Sequence, residues 1–420
     1  MKAIKSEFKR PSRRVRATKS FLERYTNMTP QRLVVASIAT LALGSLVFLQ
    51  SVLTNHANYS ASSSGSFLRN LASKLYSEYK VTELEQDPGL YQPAPVEQYV
   101  YDHRVELGYE PKDETSASEG CKIWNDPQES TIYDELHQYR QEIPHYWEAL
   151  HEYNWIEQNN ITDIRKHLFG SDSHHPDFCK NLELDPAGRD LKTAYFNTSQ
   201  QLSKMQSTGF LEPLLTPMRH PNFCIRKQGN ILNIEYLVHD FAHMCRQLKP
   251  TSRIVLLDMG ASPRFAGASN PMWKILNLFQ TKFGFKFDHI YSFEIKHFEP
   301  TEVYKLVPRH LHPAYHWINA GVSIEEGHAL NPWTLLDEFN EDDLVIVKLD
   351  IDTPQLEVPL AHQLLNNPSL WNKVDHFYFE HHVRQEENNF WKRAWDGSIK
   401  DTLELFHGLR KRGVSSHFWV

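Results

Sequence analysis

The sequence predicts an α/β protein whose C-terminal half, residues 210–420, forms a doubly wound and mostly parallel sheet. Two observations favour this fold class. Short runs rich in Val, Ile and Leu alternate along this half with segments of helical periodicity, which is the pattern of repeated βα units. Polar residues also follow the ends of several predicted strands, where parallel sheets bind their ligands. Ahead of this half, the sequence predicts a mainly helical region and one transmembrane helix.

The predicted elements of the C-terminal half follow one another in a regular order. A helix over Ile231–Gln247 ends at Lys249-Pro250, because proline cannot continue it. Strands and helices alternate from there, without an internal repeat. The predicted strands are Arg253–Met259, His289–Glu294, His316–Val322, Leu344–Asp350, His376–His381 and Val414–Val420. The predicted helices between them are Asn270–Phe283, Pro300–Leu306, Asn331–Phe339, Gln355–Leu365 and Ile399–Arg412.

The N-terminal end of the chain predicts a membrane anchor. Residues 1–32 carry ten Lys or Arg against Glu7 and Glu23, and Leu33–Leu53 then contains no charged residue. A helix of that length is long enough to cross a hydrocarbon layer about 30 Å thick. The positive-inside rule places the basic tail in the cytosol and everything after Leu53 across the membrane. The sequence therefore predicts a single-pass type II membrane protein of the Golgi or endoplasmic reticulum.

Two regions separate this anchor from the predicted sheet. Residues 54–120 contain a Ser-rich run and several Pro- and Gly-containing tracts, which predict an irregular stem. Residues 121–209 contain helical periodicity, clearest over Glu129–Tyr153, and predict a helical region that caps the sheet domain. We expect the sheet domain itself to occupy residues 210–420.

The remaining composition fits an extracytosolic location. A net charge of −7 gives no electrostatic footprint for nucleic acid. An even number of cysteines favours disulfide bonds, although the sequence leaves three pairings open. The four cysteines are Cys121, Cys179, Cys224 and Cys245. Three triplets match N-glycosylation acceptors, at Asn58, Asn160 and Asn197.

Leu344–Pro354 is the stretch that most directly suggests a function. An apolar run is followed by Asp350 and Asp352, so a buried strand delivers two carboxylates to the ligand-binding edge of the sheet. Two activities fit this pattern. The Asp-Ile-Asp sequence can hold a divalent metal on a nucleotide sugar, as in a Golgi-type glycosyltransferase. Alternatively, the stretch is the fourth strand of a methyltransferase.

Three other strand ends carry suitable polar residues. The first strand ends near Asp258, and Gly260 follows where the backbone must approach a ligand closely. The second ends at Glu294, where a carboxylate can accept hydrogen bonds from both hydroxyls of a ribose. The third is followed by Asn319, whose amide can donate and accept hydrogen bonds at a nucleobase edge. This set favours a nucleoside-containing cofactor over a metal-bound diphosphate.

These motifs, in this order, resemble the FkbM-type methyltransferase family. The family has D-x-G-A-N, F-E-P, N-x-A-V-S and K-I-D-x-E-G in sequence. The chain has Asp258-x-Gly260-Ala261, Phe293-Glu294, Asn319 to Ser323, and Lys348 to Asp352. The likeness spans about residues 254–360 and implies a Rossmann-like domain of the class I methyltransferase type. Such a domain binds S-adenosylmethionine and transfers its methyl group to an oxygen, often on a sugar or another hydroxylated molecule.

The resemblance also implies roles for individual residues. Asp258 and Gly260 contact the methionine end of the cofactor. Ser262, which stands where the family has Asn, is a further cofactor-binding residue. Glu294 holds the ribose, and Asn319 lies near the adenine. Asp350 lies beside the methyl donor. Thr353 replaces the family's glycine, so a domain that has lost catalysis is an alternative interpretation.

Methyl transfer further requires a base that removes the proton of the accepting hydroxyl. The candidates are Asp350, Asp352 and, after the fifth strand, Glu380 with His381 and His382. His239 and His243 also lie one helical turn apart, a spacing that can bind a metal. Because the sequence offers no third ligand near them, we expect no metal site. The predicted cofactor is S-adenosylmethionine, and the predicted partners are the membrane and a glycan or other hydroxylated substrate.

Overall fold

The computed structural model describes residues 91, 93, 95–105, 211, 212, 214, 234, 237, 239, 244, 245, 248–263, 271–282, 284–383 and 397–419. The chain divides into two units, Met1–Leu71 and Ala72–Val420, and every described residue belongs to the second. No helix in these ranges is long and apolar enough to cross a membrane. The basic tail, the Leu33–Leu53 segment and the region 121–209 lie outside the described residues.

Six parallel strands form one sheet, as the alternating sequence pattern predicts. Their order in the sheet is β3-β2-β1-β4-β5-β6. This is the strand order of the Rossmann-like doubly wound fold. The strands are β1 (Ile254–Met259), β2 (His289–Phe293), β3 (Tyr315–Ile318), β4 (Leu344–Leu349), β5 (His376–Phe379) and β6 (Ser415–Phe418).

The central strands are hydrophobic along their whole length because both faces of the sheet are covered. Every residue of β1 and of β4 is buried. A strand covered on both sides reads as a continuous apolar run, which explains why these two strands were predicted to within one residue. The edge strand β3 is only partly buried, and it ends at Ile318, four residues before its predicted end.

The helices agree less closely with the predicted ones. Helix α2 (Pro271–Leu276) continues as a π-helical turn (Asn277–Lys282), and α3 (Pro300–Leu306) matches its prediction. Helices α4 (Pro354–Asn366), α5 (Pro368–Trp371) and α6 (Ile399–Lys411) follow β4 and β5. Because crossovers between parallel strands are right-handed, the reversal of strand order after β3 places the helices on both faces of the sheet. Consistent with this arrangement, α4 packs against α6.

The predicted helix Asn331–Phe339 is instead a 3₁₀ helix, Pro332–Glu338. Its buried apolar side chains, Trp333, Leu336 and Phe339, recur every three residues. That spacing matches the three residues per turn of a 3₁₀ helix, whereas an α-helix would rotate the third side chain away from the core.

A further helix lies where the sequence predicts an irregular stem. Helix α1 (Pro95–Asp102) packs against α6, and its Glu97 is 1% exposed. The Glu97 carboxylate accepts hydrogen bonds from the hydroxyl of Tyr91 at 2.5 Å and from the ring of His407 at 2.7 Å. The prediction of an irregular segment fails here because the pairing of Glu97 with α6 is a long-range contact, which local composition does not encode.

Candidate functional site

The candidate site lies at the C-terminal ends of β1 and β4, where the strand order reverses. In open α/β sheets, ligands bind in the crevice at this switch point. Gly260 begins the turn after β1 with a φ of +84°. Its N–H and that of Ala261 both donate to the carbonyl oxygen of Phe293, at 3.1 and 2.9 Å. The turn after β1 is therefore tied to the residue that precedes Glu294.

Gly260 is needed first for packing within the protein. A Cβ built on this residue would lie 1.7 Å from the carbonyl oxygen of Asp350. The sequence interpretation attributed the glycine to a close approach of the ligand. The structure shows that the backbone it approaches is the end of β4, so that the β1 turn and the Asp350 segment fit against each other.

A buried lysine joins the two central strand ends. The ammonium of Lys348 lies 3.1 Å from a carboxylate oxygen of Asp258 and 3.2 Å from one of Asp350. Burial opposes the positive charge, but Asp258 and Asp350 outweigh it and raise the pKa of Lys348 above its ordinary value. Lys348 is thus a fixed positive charge at the base of the site. Asp258 is fully buried beside it, so its role is to hold this lysine.

Asp350 and Glu380 form a pair of carboxyl groups at the ends of β4 and β5. Glu380 lies close enough to Asp350 to influence its ionisation. Burial raises the pKa of Asp350 well above its ordinary value; Lys348 acts against this shift, and Glu380 adds to it. Two adjacent buried carboxyls disfavour a second negative charge, so this pair binds a proton more readily than an isolated carboxylate does. Such a pair can accept a proton from a bound hydroxyl group.

His382 lies among three carboxylates. Its Nδ1 is 3.2 Å from Glu357 Oε2, while its Nε2 is 3.4 Å from Asp352 Oδ1 and 3.5 Å from Glu380 Oε2. Burial opposes protonation, but the surrounding carboxylates raise the pKa of His382 to about 12. Asp352, whose side chain is 73% exposed, lies on the solvent side of this group.

His381, which the sequence analysis places among the catalytic residues, points away from this group. Its Nδ1 pairs with the hydroxyl of Thr402 on α6 at 2.8 Å, and its ring stacks on Phe379. Burial, with a contribution from His362 and His382, lowers the pKa of His381 to about 3. His381 is thus packed as a neutral core histidine, and a catalytic role for it stays a prediction that these contacts do not favour. Because side chains alternate in extended backbone, Glu380 and His382 share the other side.

Glu294 follows β2 and lies partly exposed beside the Gly260 turn. Its Oε1 accepts a hydrogen bond from the N–H of Lys296 at 2.6 Å, which fixes the carboxylate. Within the part of the chain that the structure describes, no hydrogen bond engages its Oε2. Ile295, the next residue, is 79% exposed, which is unusual for so large an apolar side chain. A carboxylate and an apolar surface thus adjoin at this strand end.

Asn319 has a structural task that the sequence analysis does not predict. Its amide nitrogen donates to the carbonyl oxygens of Glu294 and Lys296, both at 2.8 Å, and its oxygen accepts from the N–H of Phe298 at 2.9 Å. Both amide hydrogens are thereby used, so Asn319 shapes the loop that carries Glu294. Ser262 lies half-buried on the β1 turn, two residues beyond Gly260.

The sequence suggested no site role for Lys348 or Glu357, and it suggested His382 only as a candidate base beside His381. The alternation of the Phe377–His382 stretch was the available signal for His382, since it places residues 380 and 382 on one side. Glu357 lies in the first turn of α4, where its Oε1 also accepts from the N–H of Ile351 at 2.7 Å. No local pattern marks that position, because its partners are distant in the sequence.

A second group of potential metal ligands, His239, His376 and His417, is buried on the opposite part of the sheet. His376 Nδ1 lies 3.2 Å from His417 Nε2, and the two ring centroids are 5.4 Å apart at 6°. The two nitrogens therefore face each other along the line between the rings, which is hydrogen-bond geometry. His417 Nδ1 also pairs with the carboxylate of Glu212 at 2.9 Å, so His376 and His417 belong to a buried hydrogen-bond chain. His239 packs against their rings and pairs instead with the hydroxyl of Tyr378 at 2.6 Å.

Comparisons of the chain with models of protein families, with curated proteins and with solved structures find no match. The resemblance to the FkbM-type family thus stays a prediction that rests on the four strand-end motifs.

Proposed function

We propose that the protein is an S-adenosylmethionine-dependent O-methyltransferase that acts on a glycan or another hydroxylated substrate. One observation carries this proposal: the glycine turn after β1 is hydrogen-bonded to the residue before Glu294, so a close-packed turn and a carboxylate adjoin at the switch point. A nucleoside cofactor needs both features. The tight turn lets the cofactor approach the protein backbone closely, and the carboxylate binds the ribose hydroxyls.

The residues present fit the cofactor. Oε1 of the Glu294 carboxylate is held by the N–H of Lys296. Oε2 has no hydrogen bond among the described residues, so the carboxylate suits the two ribose hydroxyls. The exposed Ile295 side chain offers an apolar surface for the adenine. Asp350 lies at the end of β4, where the methyl-bearing sulfur would be held. When bound, the cofactor supplies an electrophilic methyl group on a sulfonium.

The chain's own residues would then position the acceptor and take its proton. The carboxyl pair Asp350–Glu380 lies at the mouth formed by β4 and β5, and Asp352 lies at its exposed side. With the cofactor bound, these residues would hold the acceptor oxygen in line with the methyl group that the cofactor supplies. The hydroxyl proton passes to the carboxyl pair. The positive charge of Lys348 compensates the negative charge of the buried Asp258 and Asp350 carboxylates.

The location of this activity is a second part of the proposal. We place the catalytic domain in the secretory-pathway lumen, behind a type II anchor at Leu33–Leu53. In support, Cys245 is disulfide-bonded, and disulfide bonds persist mainly in oxidising compartments. The acceptor triplets for N-glycosylation lie on the same side of the proposed anchor.

A glycosyltransferase is less well supported by the same geometry. A shared metal clamp needs Asp350 and Asp352 to face one point, yet Asp350 pairs with Lys348 while Asp352 faces His382. An inactive methyltransferase-like domain would keep the cofactor pocket but lose the proton acceptor. The carboxyl pair at β4 and β5 favours an active enzyme over that alternative.

Binding of S-adenosylhomocysteine to the purified full-length protein, measured by isothermal titration, tests the proposal. We expect binding by the wild type and a loss of roughly 10- to 100-fold in affinity for Glu294→Ala, because hydrogen bonds to a charged group are removed. Glu341→Ala, an exposed residue in the loop before β4 at the opposite edge of the sheet, should bind normally. Failure of the wild type to bind, together with Mn²⁺-dependent binding of a nucleoside diphosphate, would rule the proposal out.

A further inference from the structure

Three metal-ligating side chains converge at the solvent edge of the candidate site. Asp352 Oδ1, Glu380 Oε2 and His382 Nε2 all lie within 4.8 Å of one another. They come from two neighbouring strand ends, so the fold places them together. Their donor types, two carboxylate oxygens and one imidazole nitrogen, are those that Zn²⁺ and Mn²⁺ accept in proteins.

The spacing of these donors is also compatible with a shared ion. His382 Nε2 lies 3.4 Å from Asp352 Oδ1 and 3.5 Å from Glu380 Oε2, both at the long limit for a hydrogen bond. Two ligands bound to one tetrahedral ion at about 2.1 Å are separated by about 3.4 Å. The two measured contacts therefore have the length of the edges of a tetrahedral coordination shell.

Glu357 orients the histidine as a ligand. It engages His382 Nδ1 at 3.2 Å and is itself 1% exposed, so the ring is fixed with Nε2 directed at the other two carboxylates. Metal-binding histidines commonly have their second nitrogen held by a carboxylate in this way, because that contact fixes the ring and its tautomer. Binding of an ion would displace the proton from Nε2, since a histidine ligand is neutral. Glu357 is thus a positioning residue for the three donors.

The backbone at Asp352 gives an independent indication. Its φ is +55°, and among the described residues it is the one non-glycine with a positive φ. A left-handed conformation is unfavourable for a residue with a side chain, and such strain is retained mainly at functional positions. Here it brings an otherwise exposed carboxylate to the His382 ring.

We infer that Asp352, Glu380 and His382 bind one divalent transition-metal ion, with Glu357 orienting His382. Because Asp352 is mostly exposed, at least one coordination position faces solvent and is open to a water molecule or to a substrate oxygen. The sequence alone led us to expect no metal site, because these three donors become neighbours only in the folded sheet.

The ion's task in catalysis rests on the proposed function, whereas its binding does not. In the open position it would hold the acceptor oxygen and lower the pKa of the acceptor hydroxyl, as bound metals do for water. The hydroxyl proton would leave to solvent, which reaches this edge of the site beside the mostly exposed Asp352 side chain. The acceptor class then narrows to hydroxyl compounds that can coordinate a metal while a methyl group is transferred to their oxygen.

Direct metal binding to the full-length protein tests the inference without any enzyme assay. After treatment with a chelator, the wild type should bind one equivalent of Zn²⁺ or Mn²⁺ in isothermal titration. Asp352→Asn, which alters an exposed side chain and should leave the fold intact, should weaken binding at least tenfold. His382→Gln should abolish it, and Glu357→Gln should weaken it about 10- to 100-fold. Asp337→Asn, an exposed carboxylate outside the site, is the matched control and should bind as the wild type.

The outcomes separate this inference from the proposed function. If the wild type binds neither metal, or if Asp352→Asn and His382→Gln bind as tightly as Asp337→Asn, the metal site is excluded, whatever the cofactor result. If the metal binds as expected and S-adenosylhomocysteine does not bind, the site stands and the proposed methyl transfer fails. Retention of S-adenosylhomocysteine binding by Asp352→Asn would show that loss of metal affinity does not reflect a damaged fold.

Discussion

Gly260 shows how one residue connects the two central strand ends of the site. With a φ of +84° and Asp350's carbonyl oxygen at 1.7 Å from any added Cβ, it meets both a conformational and a steric requirement. We expect Gly260→Ala to lower the free energy of unfolding by about 3 kcal/mol or more, because a backbone shift must add to the cost of the left-handed conformation. Denaturant unfolding followed by circular dichroism measures this loss.

Gly327 provides the matched control for that substitution. Its φ is +76°, but no atom lies within 4 Å of a Cβ built on it. Gly327→Ala should therefore cost only about 1–2 kcal/mol, the conformational part alone. Equal losses for the two variants would show that the contact between the β1 turn and Asp350 does not constrain the site.

The site residues were only partly predictable from the sequence. The positions of Asp258, Glu294 and Asp350 could be predicted, because each follows a recognisable apolar strand. The direction of a side chain beyond the strand end was not predicted, so His381 and His382 were both candidates. Asn319 was assigned to a ligand, yet it binds loop carbonyls. Its partners become neighbours only when the loop after β2 folds back.

Among whole elements, the strands were predicted well and the helices less well, for physical reasons. A buried parallel strand is a continuous apolar run with few alternatives, whereas short helical turns depend on the surface that they cover. The Pro332–Glu338 turn became a 3₁₀ helix because its apolar residues recur every three positions. Helix α4 fits its prediction, and it carries a histidine whose burial has a measurable consequence.

His362 on α4 should make the fold sensitive to mild acid. Burial lowers the pKa of His362 to about 4, below the value of about 6.5 in an unfolded chain. Between these two values the unfolded chain binds a proton that the folded protein does not, so stability falls as the pH falls from about 6.5 to about 4. At pH 5 the loss from this residue is about 2 kcal/mol relative to pH 7.

Urea unfolding of wild type and His362→Gln at pH 7 and pH 5 measures this contribution. The variant should lose about 2 kcal/mol less than the wild type between the two pH values. His328→Gln, which replaces an exposed histidine on a loop, should behave as the wild type. If His362→Gln shows the full wild-type loss at pH 5, burial of His362 is not a source of the acid sensitivity.

For the whole molecule, the boundary of the folded domain differs from the one that composition suggests. Helix α1 and Tyr91 lie in a region that the sequence analysis assigns to a stem, yet they complete a buried charge network with α6. Arg410 is fully buried; its guanidinium lies 3.6 Å from Glu97 and 3.4 Å from Glu212. Burial opposes its charge, but Tyr91, Glu97 and Glu212 outweigh that effect and raise the pKa of Arg410. His407 and Arg410 together likewise keep the pKa of Glu97 below its ordinary value, against the effect of burial.

Removing one member of this network leaves a buried charge without compensation, which costs far more than the pair contributes. We expect Glu97→Gln to lower the free energy of unfolding by about 3 kcal/mol. Asp102→Asn, on the same helix but paired with Gln98 at the surface, should change it by less than about 0.5 kcal/mol.

Fragments that begin after residue 105 lack the whole helix, so they should unfold at lower urea concentration than fragments that begin before Tyr91. If both fragments and both variants unfold alike, α1 does not belong to the folded domain. If they differ as expected, a soluble fragment for cofactor or metal binding has to include residues 91–105. These residues pack against α6, and α6 also carries Thr402, the partner of His381 next to the site.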